Sequence, residues 1–371
     1  MSFQIGPIVV DPPVVLAPMA GVTNAPFRRL CREFGAGLYV SEMIGARSLV
    51  EKSEKTMALA RFDDDEVPRS IQLYGTDPGA LGEAVAFLVE DLGVDHIDMN
   101  FGCPMGKVTR HGGGAALPWK TDLFRSVVRA AVGNAGDVPV TVKFRLGIDE
   151  EHLTFIGTGL TAEEEGVAAV ALHARTARQL YSGHADWSAI RDLKEAVTTV
   201  PVLGNGDIWT ADDAIEMMRS TGCDGVVVGR GCLGRPWLFR DLADVFVGRQ
   251  PQVPPNLGKV GRIMIRHAGL LVDHFGEKTG LNLFRRHPSW YLKGFPAGPV
   301  LRDGFARVAS IEELASLVER LDPDVPFPEE ANRMVRGHSH GPRPVRLPHG
   351  FLDNREAERV ADEAGGVVSG G

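Results

Sequence analysis

Eight short apolar runs, each closing in a polar or glycine-bearing turn, pace the first two thirds of this 371-residue chain. They fall at 14–19, 38–43, 69–74, 96–101, 140–145, 168–174, 202–206 and 225–229. Each is short and rich in Val, Ile or Leu, as buried strands are. Segments of helical period lie between them, at 78–92, 121–135 and 211–221 among others, with Asp77 and Thr210 where N-caps fall. Near-continuous apolar strands separated by helices imply a parallel sheet covered by helices. Eight such units fit a closed (β/α)8 TIM barrel better than an open sheet.

The rhythm changes near residue 245. Residues 256–322 contain no strand-like run and read as helices at 257–275, 282–295 and 311–321. Residues 323–371 are rich in Pro, Gly, Arg and His and read as a flexible tail with at most one short helix, near 354–364. The expected organisation is a barrel over 1–244, a smaller all-helical domain over 245–322 and a tail over 323–371.

Composition excludes several classes. No unbroken apolar stretch reaches the roughly 18 residues of a membrane-spanning helix. The N-terminus lacks the basic and apolar regions of a secretory signal. Cys31, Cys103, Cys223 and Cys232 form no C-x-x-C pair, which suits neither a zinc site nor a disulfide framework and suggests a reduced, cytoplasmic chain without a metal. The net charge of −8 argues weakly against a whole-surface nucleic-acid binder. A local basic face is still available, because 259–307 carries Lys259, Arg262, Arg266, Lys278, Arg285, Arg286, Lys293, Arg302 and Arg307.

Barrels gather functional residues at the C-terminal ends of their strands. The first run ends in Ala17-Pro18-Met19-Ala20-Gly21-Val22-Thr23, whose small residues let a flat ligand lie against backbone or simply make a tight turn. Gln72 sits between Ile71 and Leu73, and Lys143 lies within an apolar run. A buried amide and a buried lysine both need partners. An anionic ligand such as a reduced flavin would satisfy Lys143; a lysine–glutamate pair is the plainer alternative. His173 closes the sixth run and is a satisfied core histidine by default. The turns Gly204-Asn205-Gly206-Asp207 and Val228-Gly229-Arg230-Gly231 follow the last two strands, where barrels bind phosphate through backbone N–H groups. Arg230 adds a bidentate phosphate ligand. The fourth run ends in Asp98-Met99-Asn100-Phe101-Gly102-Cys103-Pro104, which holds a thiol in a fixed pose. Such a thiol can donate a proton or act as a nucleophile. With a phosphate-bearing redox ligand nearby, proton donation fits better. Cys31, Cys223 and Cys232 read as inert.

These segments together resemble the bacterial tRNA-dihydrouridine synthases. The resemblance rests on APMAGVT at 17–23, Ser41-Glu42-Met43, Gln72-Leu73-Tyr74-Gly75, DMNFGCPMGK at 98–107, KFRLG at 143–147, His173-Ala174-Arg175, 205–208, GRG at 229–231 and Trp290-Tyr291-Leu292-Lys293-Gly294. It covers about residues 7–321 and looks closest to the B-type members. It implies reduction of the C5–C6 bond of selected tRNA uridines, with tightly bound FMN recharged by NADPH or NADH. On the matching positions it implies that Pro18, Met19 and Ala20 contact the flavin ring and that Gln72 and Lys143 bond its polar edge. His173, Asn205, Gly206 and Asp207 would line the ribityl and phosphate region, and Gly229 and Arg230 the phosphate. Cys103 would protonate uracil C5, with Asn100 holding the uracil edge. Extracting a stacked uracil costs a few kcal/mol, offset by backbone contacts. Candidate contacts are the basic helical segment and Lys107, Arg110, Arg145, Arg175 and Arg178 near the mouth. The competing expectation is an FMN barrel reductase of a small pyrimidine or enone.

Overall fold

The computed structural model describes residues 1–35, 37–337 and 341–357. Eight parallel strands close into a barrel: β1 (Val14–Leu16), β2 (Leu38–Gly45), β3 (Ser70–Tyr74), β4 (His96–Phe101), β5 (Val140–Arg145), β6 (Ala169–His173), β7 (Val202–Asn205) and β8 (Gly225–Val228). Strand β8 pairs with β1 through Val226 opposite Val14 and Val228 opposite Leu16, which closes the cylinder. All eight apolar runs became strands.

Alternation along each strand sorts side chains between two environments. Val14, Leu16, Ile71, Leu73, Ile97, Met99, Val142, Phe144, Val170 and Leu172 face outward into one core beneath the helices. Phe101 and Phe124 meet there edge to face at 4.8 Å. The inward set is divided. Val15, Leu38, Val40, Ala169, Ala171, Leu203 and Val227 make an apolar interior. On β3, β4 and β5 the opposite parity delivers Ser70, Gln72, His96, Asp98, Thr141 and Arg145 as buried polar groups. The interior is thus half apolar and half polar.

An N-terminal hairpin, Phe3–Ile5 paired with Ile8–Val10, was not legible in the sequence. Phe3, Ile5 and Val10 pack on the apolar interior residues and plug the bottom of the barrel. Gly225 admits the Phe3 ring, which lies 2.6 Å from where a β-carbon at that position would stand.

The external helices begin where capping chemistry dictates. Asp77 accepts from the N–H of Gly79 at the start of Pro78–Glu90. Thr210 and Asp213 form a capping box on Ala211–Thr221, which ends at Gly222 in the left-handed region. Past the barrel come Leu257–Phe275, Glu277–Phe284, Pro288–Tyr291, Gly298–Arg307 and Ile311–Glu319 around Val260, Met264, Leu271, Phe284, Tyr291 and Phe305. The single helix expected over 282–295 is broken. The preceding helix ends at Phe284, and Pro288, which has no N–H to donate, opens a new turn at its first position with His287 as the N-cap. The helix Gly298–Arg307 was not anticipated.

Of the segment after 322, the described parts pack back on the barrel. The helix expected near 354–364 is absent over 354–357, and the rest of it lies outside the described residues.

Replacing Phe124 by Ala removes the partner of Phe101 from the core just below the β4 turn. We expect a loss of about 3 to 5 kcal/mol in unfolding free energy, read by urea denaturation. A loss below about 1 kcal/mol would show that this contact does not anchor β4.

Candidate active site

The polar face of the interior is a directed chain of hydrogen bonds. The Thr141 hydroxyl donates to Asp98 Oδ1 at 2.6 Å, and Gln72 Nε2 donates to Asp98 Oδ2 at 2.6 Å. Having given its proton to Asp98, Thr141 accepts from His96 Nε2 at 2.9 Å. His96 Nδ1 then accepts from Ser70 Oγ at 2.7 Å. Burial holds His96 neutral, its pKa lowered to about 3. Toward the mouth, Asn100 Nδ2 donates to Gln72 Oε1 at 2.8 Å. Asn100 Oδ1 in turn accepts from the backbone N–H of Cys103 at 2.9 Å and of Gly102 at 3.2 Å. The chain therefore runs from the barrel floor to the backbone of Cys103.

Cys103 is half-buried, whereas Cys31, Cys223 and Cys232 are buried. Its loop is fixed from two further sides. Arg145 Nε donates to the Gly102 carbonyl at 2.9 Å, and the Ala115 N–H donates to the Cys103 carbonyl at 3.0 Å. Gly114 has φ +56°, and a β-carbon there would sit 2.5 Å from the Cys103 carbonyl oxygen. Only glycine fits. Burial pushes the Cys103 thiol pKa up, against smaller opposing effects of a backbone hydrogen bond, Arg145 and Lys107. The group is a protonated thiol at neutral pH.

Asn100 and Lys143 are register partners on β4 and β5. Lys143 Nζ donates to Asn205 Oδ1 at 3.0 Å, and Asn205 Nδ2 donates to the Val227 carbonyl at 2.6 Å. Burial, then Arg145, lower the Lys143 pKa, while Asp98 opposes them. The lysine–glutamate pair weighed as the plainer alternative does not form; the carboxylate beside Lys143 is Asp98, reached through space.

The remaining residues frame the other side of the mouth. Arg175 Nη2 binds both oxygens of Asp207, at 2.7 and 2.8 Å, and Arg230 lies 3.8 Å from the same carboxylate. Asp207 has φ +56° and Gly206 φ +129°, so the β7 turn is held in an unusual backbone shape. His173 is buried beside Arg175, at 3.5 Å, and is kept neutral by burial and then by Arg145 and Lys143. The β8 turn lies against the β1 turn, since a β-carbon at Gly229 would be 3.6 Å from Ala17 and 3.9 Å from the Met19 sulfur. Met19 folds its own turn through its carbonyl, which accepts from Val22 and Thr23; Pro18 borders a small internal cavity with Asp98 and Lys143, and Ala20 is exposed.

Arg145 and Arg175 occupy a different place from the one the sequence suggested. They are 3% and 1% exposed, and their donors go to the carbonyls of Gly102, Thr176, Leu180, Ser182 and Gly183. They hold loops in the wall of the site and do not face solvent. Part of the basic cluster is similarly committed: Arg286 binds the Gly21 carbonyl at 3.0 Å, Arg302 the Leu292 carbonyl at 2.9 Å and Arg266 the Glu33 carboxylate at 2.6 Å.

Sequence reasoning missed Asp98, Thr141 and His96 as a network, although all three share inward parity on neighbouring strands. It also missed Tyr181, over which Arg230 stacks at 4.4 Å and Arg145 at 5.4 Å. Glu42 escaped as well. It accepts from the Gly21 N–H in a short contact and its carboxyl pKa is raised by burial.

A family model described as dihydrouridine synthase (Dus) matches residues 15–327. The chain is 53% identical over 379 residues to a probable tRNA-dihydrouridine synthase of Mycobacterium tuberculosis (strain ATCC 25618 / H37Rv), covering 100% of this chain and 97% of that one. It is 37% identical over 318 residues to tRNA-dihydrouridine synthase B of Pseudomonas aeruginosa, covering 85% of this chain and 95% of the relative. Among solved structures, histamine dehydrogenase from Rhizobium sp. 4-9 shares the fold, with a TM-score of 0.52 at 15% identity over 72% of this chain and 50% of that chain.

Thr141→Val keeps the shape of the side chain but leaves His96 Nε2 and Asp98 Oδ1 without their partner. A stability loss of about 1 to 3 kcal/mol is expected by thermal or chemical denaturation. An unchanged midpoint would mean that the chain of hydrogen bonds carries no net stability.

Proposed function

Because this chain belongs to the dihydrouridine synthase family, a family of oxidoreductases, we propose that it reduces the C5–C6 double bond of specific tRNA uridines to 5,6-dihydrouridine. The observation that carries the reading is Cys103, a protonated thiol fixed by Asn100 at the rim of a mouth that holds Lys143.

The residues present fit FMN. Lys143 spends one of its three donors on Asn205, which leaves hydrogen-bonding capacity at the mouth, and its pKa, lowered by burial to about 8, still favours the cation at neutral pH. The turns at Gly206 and Gly229 bring backbone and Arg230 together where phosphate binds in barrels. Gln72 and Lys143 would meet the polar edge of the ring, and Pro18, Met19 and Ala20 would lie against it. His173, Asn205, Gly206 and Asp207 would line the ribityl chain, and Gly229 and Arg230 the phosphate. When bound, FMN supplies the hydride for uracil C6, and NADPH or NADH restores it.

The protein supplies the proton and the pose. Cys103 Sγ–H gives its proton to uracil C5 and remains as a thiolate beside Arg145 and Lys107, which favour that charge. Asn100 has spent its carbonyl on the Cys103 loop and one N–H on Gln72. Its second N–H is available to the uracil edge. The uracil must leave its stack to reach this depth, which calls for contacts to the RNA backbone around the mouth. Lys107 and Arg110 on the Cys103 loop, and Arg178 after β6, are exposed there. We assign the barrel to 1–244 and the tRNA-binding helices to 245–322.

Two outcomes test the reading. Nucleoside mass spectrometry of tRNA from a deletion strain should show loss of dihydrouridine at one or more sites, restored by the parent gene and not by Cys103→Ala. Dihydrouridine unchanged at every mapped position, or turnover of free uracil as fast as of tRNA, overturns it.

The pH dependence follows from the raised thiol. Protonated Cys103 is the active form, so the rate of uridine reduction by pre-reduced enzyme should hold through the ordinary thiol pKa of about 8.5 and fall only above it. Cys103→Ala should cut that rate by roughly 100-fold or more, within the range of general-acid catalysis, and lose the thiol-dependent limb. A limb that survives in the variant belongs to another group.

A further inference from the structure

Beyond the family match, the described residues 328–337 and 341–357 touch loops around the mouth of the barrel. They start on the helices, where Ala331 packs against Gly294. The Asn332 carbonyl accepts from Arg235 at 2.9 Å, and a β-carbon at Gly337 would stand 3.7 Å from Arg230 Cγ. On the far side of 338–340, the Arg343 N–H donates to the Arg178 carbonyl after β6 at 3.0 Å. The Arg346 stem then crosses Gly106, its Cδ 3.0 Å from where a β-carbon there would stand. Gly106 is three residues beyond Cys103.

The end of this run is anchored. Phe351 is buried against Ala116 and Ile148, with Trp119 and Leu347 packed around them. The Leu352 carbonyl accepts from Trp119 Nε1 at 3.3 Å, and the Arg355 carbonyl from the Thr121 N–H at 2.9 Å. Lys120 donates to the Asn354 carbonyl and lies 4.9 Å from the Phe351 ring. These contacts join the run to the segment 105–121 that closes over Cys103.

Past 338–340 the first ten residues of the run are basic, whereas its anchored end exposes Asp353 and Glu356 beside Arg355. Residues 341–350 read Gly-Pro-Arg-Pro-Val-Arg-Leu-Pro-His-Gly, with two arginines, one histidine and no acid. Arg343 and Arg346 are exposed and form no ion pair among the described residues. They stand beside exposed Lys107 and beside Arg178, which is 3.8 Å from Glu150. Three prolines stiffen the ten residues, so little freedom is lost when the arginines engage a partner.

We propose that residues 341–357 form a strap that extends the substrate-binding rim, with Arg343 and Arg346 contacting the phosphate backbone of the RNA whose uridine enters the site. This rests on the tRNA reading above. Phe351 holds the strap against the Cys103 loop, and the strap holds its arginines at a fixed distance from the thiol. The charge lies where the acidic protein as a whole would otherwise repel a polyanion.

The test uses the full-length, flavin-loaded enzyme and unmodified tRNA transcript, with binding by filter retention and reduction by product mass spectrometry. Arg343→Ala/Arg346→Ala should keep the parent flavin content, raise KM and Kd for tRNA roughly tenfold, and make the slope of log affinity against log salt shallower by about 1 to 2. Arg343→Lys/Arg346→Lys should recover most of the affinity while Arg343→Met/Arg346→Met, which keeps the stems without the charge, should not, a difference that a merely structural role for the stems would not predict. Phe351→Ala, which frees the strap, should weaken tRNA binding in the same direction. If the double alanine variant binds tRNA with the parent's affinity and salt slope, the strap is a structural cap and the proposal is wrong. A parent that binds tRNA but makes no dihydrouridine sinks the catalytic reading alone. A parent that retains no tRNA at all sinks both.

Discussion

The hydrogen bond that Asn100 Oδ1 accepts from the Cys103 backbone N–H is the last link of a chain that begins at Ser70 on the barrel floor. Every member but the final turn lies on β3, β4 or β5 with inward parity. A one-residue slip of any of these strands would point its polar groups outward and leave the others without partners. The cost of a buried polar group lacking a partner exceeds the gain from a typical hydrogen bond, so the network fixes register more than it adds stability. Rigidity is the consequence that matters here. The thiol's backbone is tied to a carboxylate, Asp98, that is itself gripped from two sides.

The fold was legible because parallel barrels announce themselves in eight apolar runs, and β4 and β5 were placed to the residue. The N-terminal hairpin was not legible: three-residue strands carry too little periodicity, and only the barrel interior gives Phe3 and Ile5 a reason to be buried. The break at His287–Pro288 was written in the sequence and was passed over in favour of continuous helical period. In the site, glycine-rich turns and an isolated lysine or thiol stand out against apolar surroundings, so Lys143, Gly206, Gly229 and Cys103 could be singled out. Asp98, Thr141 and Tyr181 could not, because their significance lies in what faces them across strands and loops. Arg145 and Arg175 mislead for the opposite reason. An arginine after a strand reads as a surface charge, and only the loop carbonyls that converge on it show that it is a buried brace.

Those braces set the electrostatics of the mouth. Lys143, Arg145, Arg175 and Arg230 lie close enough that each of Arg145, Arg175 and Arg230 is felt by His173, which stays neutral. Two acids oppose them, Asp98 below and Asp207 at the side. A surplus of buried positive charge is costly in isolation and becomes favourable when an anion completes it. A phosphate-bearing, electron-rich ligand is the kind of partner that does so. The same surplus would favour a thiolate left at Cys103 after the proposed proton transfer, so one arrangement would serve both the proposed cofactor and the proposed acid.

The strap adds a constraint that the barrel alone lacks. The loop carrying Cys103 is long, and its far end, at Gly114–Trp119, is a short 3-10 helix with a proline inside it. Hydrogen bonds within the loop fix Cys103 relative to β4 and β5, and Arg145 ties Gly102 to the β6 loop, but neither holds the outer rim at 106–119. The strap touches Arg178, Gly106 and Trp119 in turn and does that, because displacing any one loop strains its contacts with the others. The family model stops at 327, whereas the relative at 53% identity aligns along the whole chain. The strap therefore lies outside the part of the chain that defines the family. The gain from carrying one is a rim of fixed geometry and local positive charge on a protein whose net charge is −8.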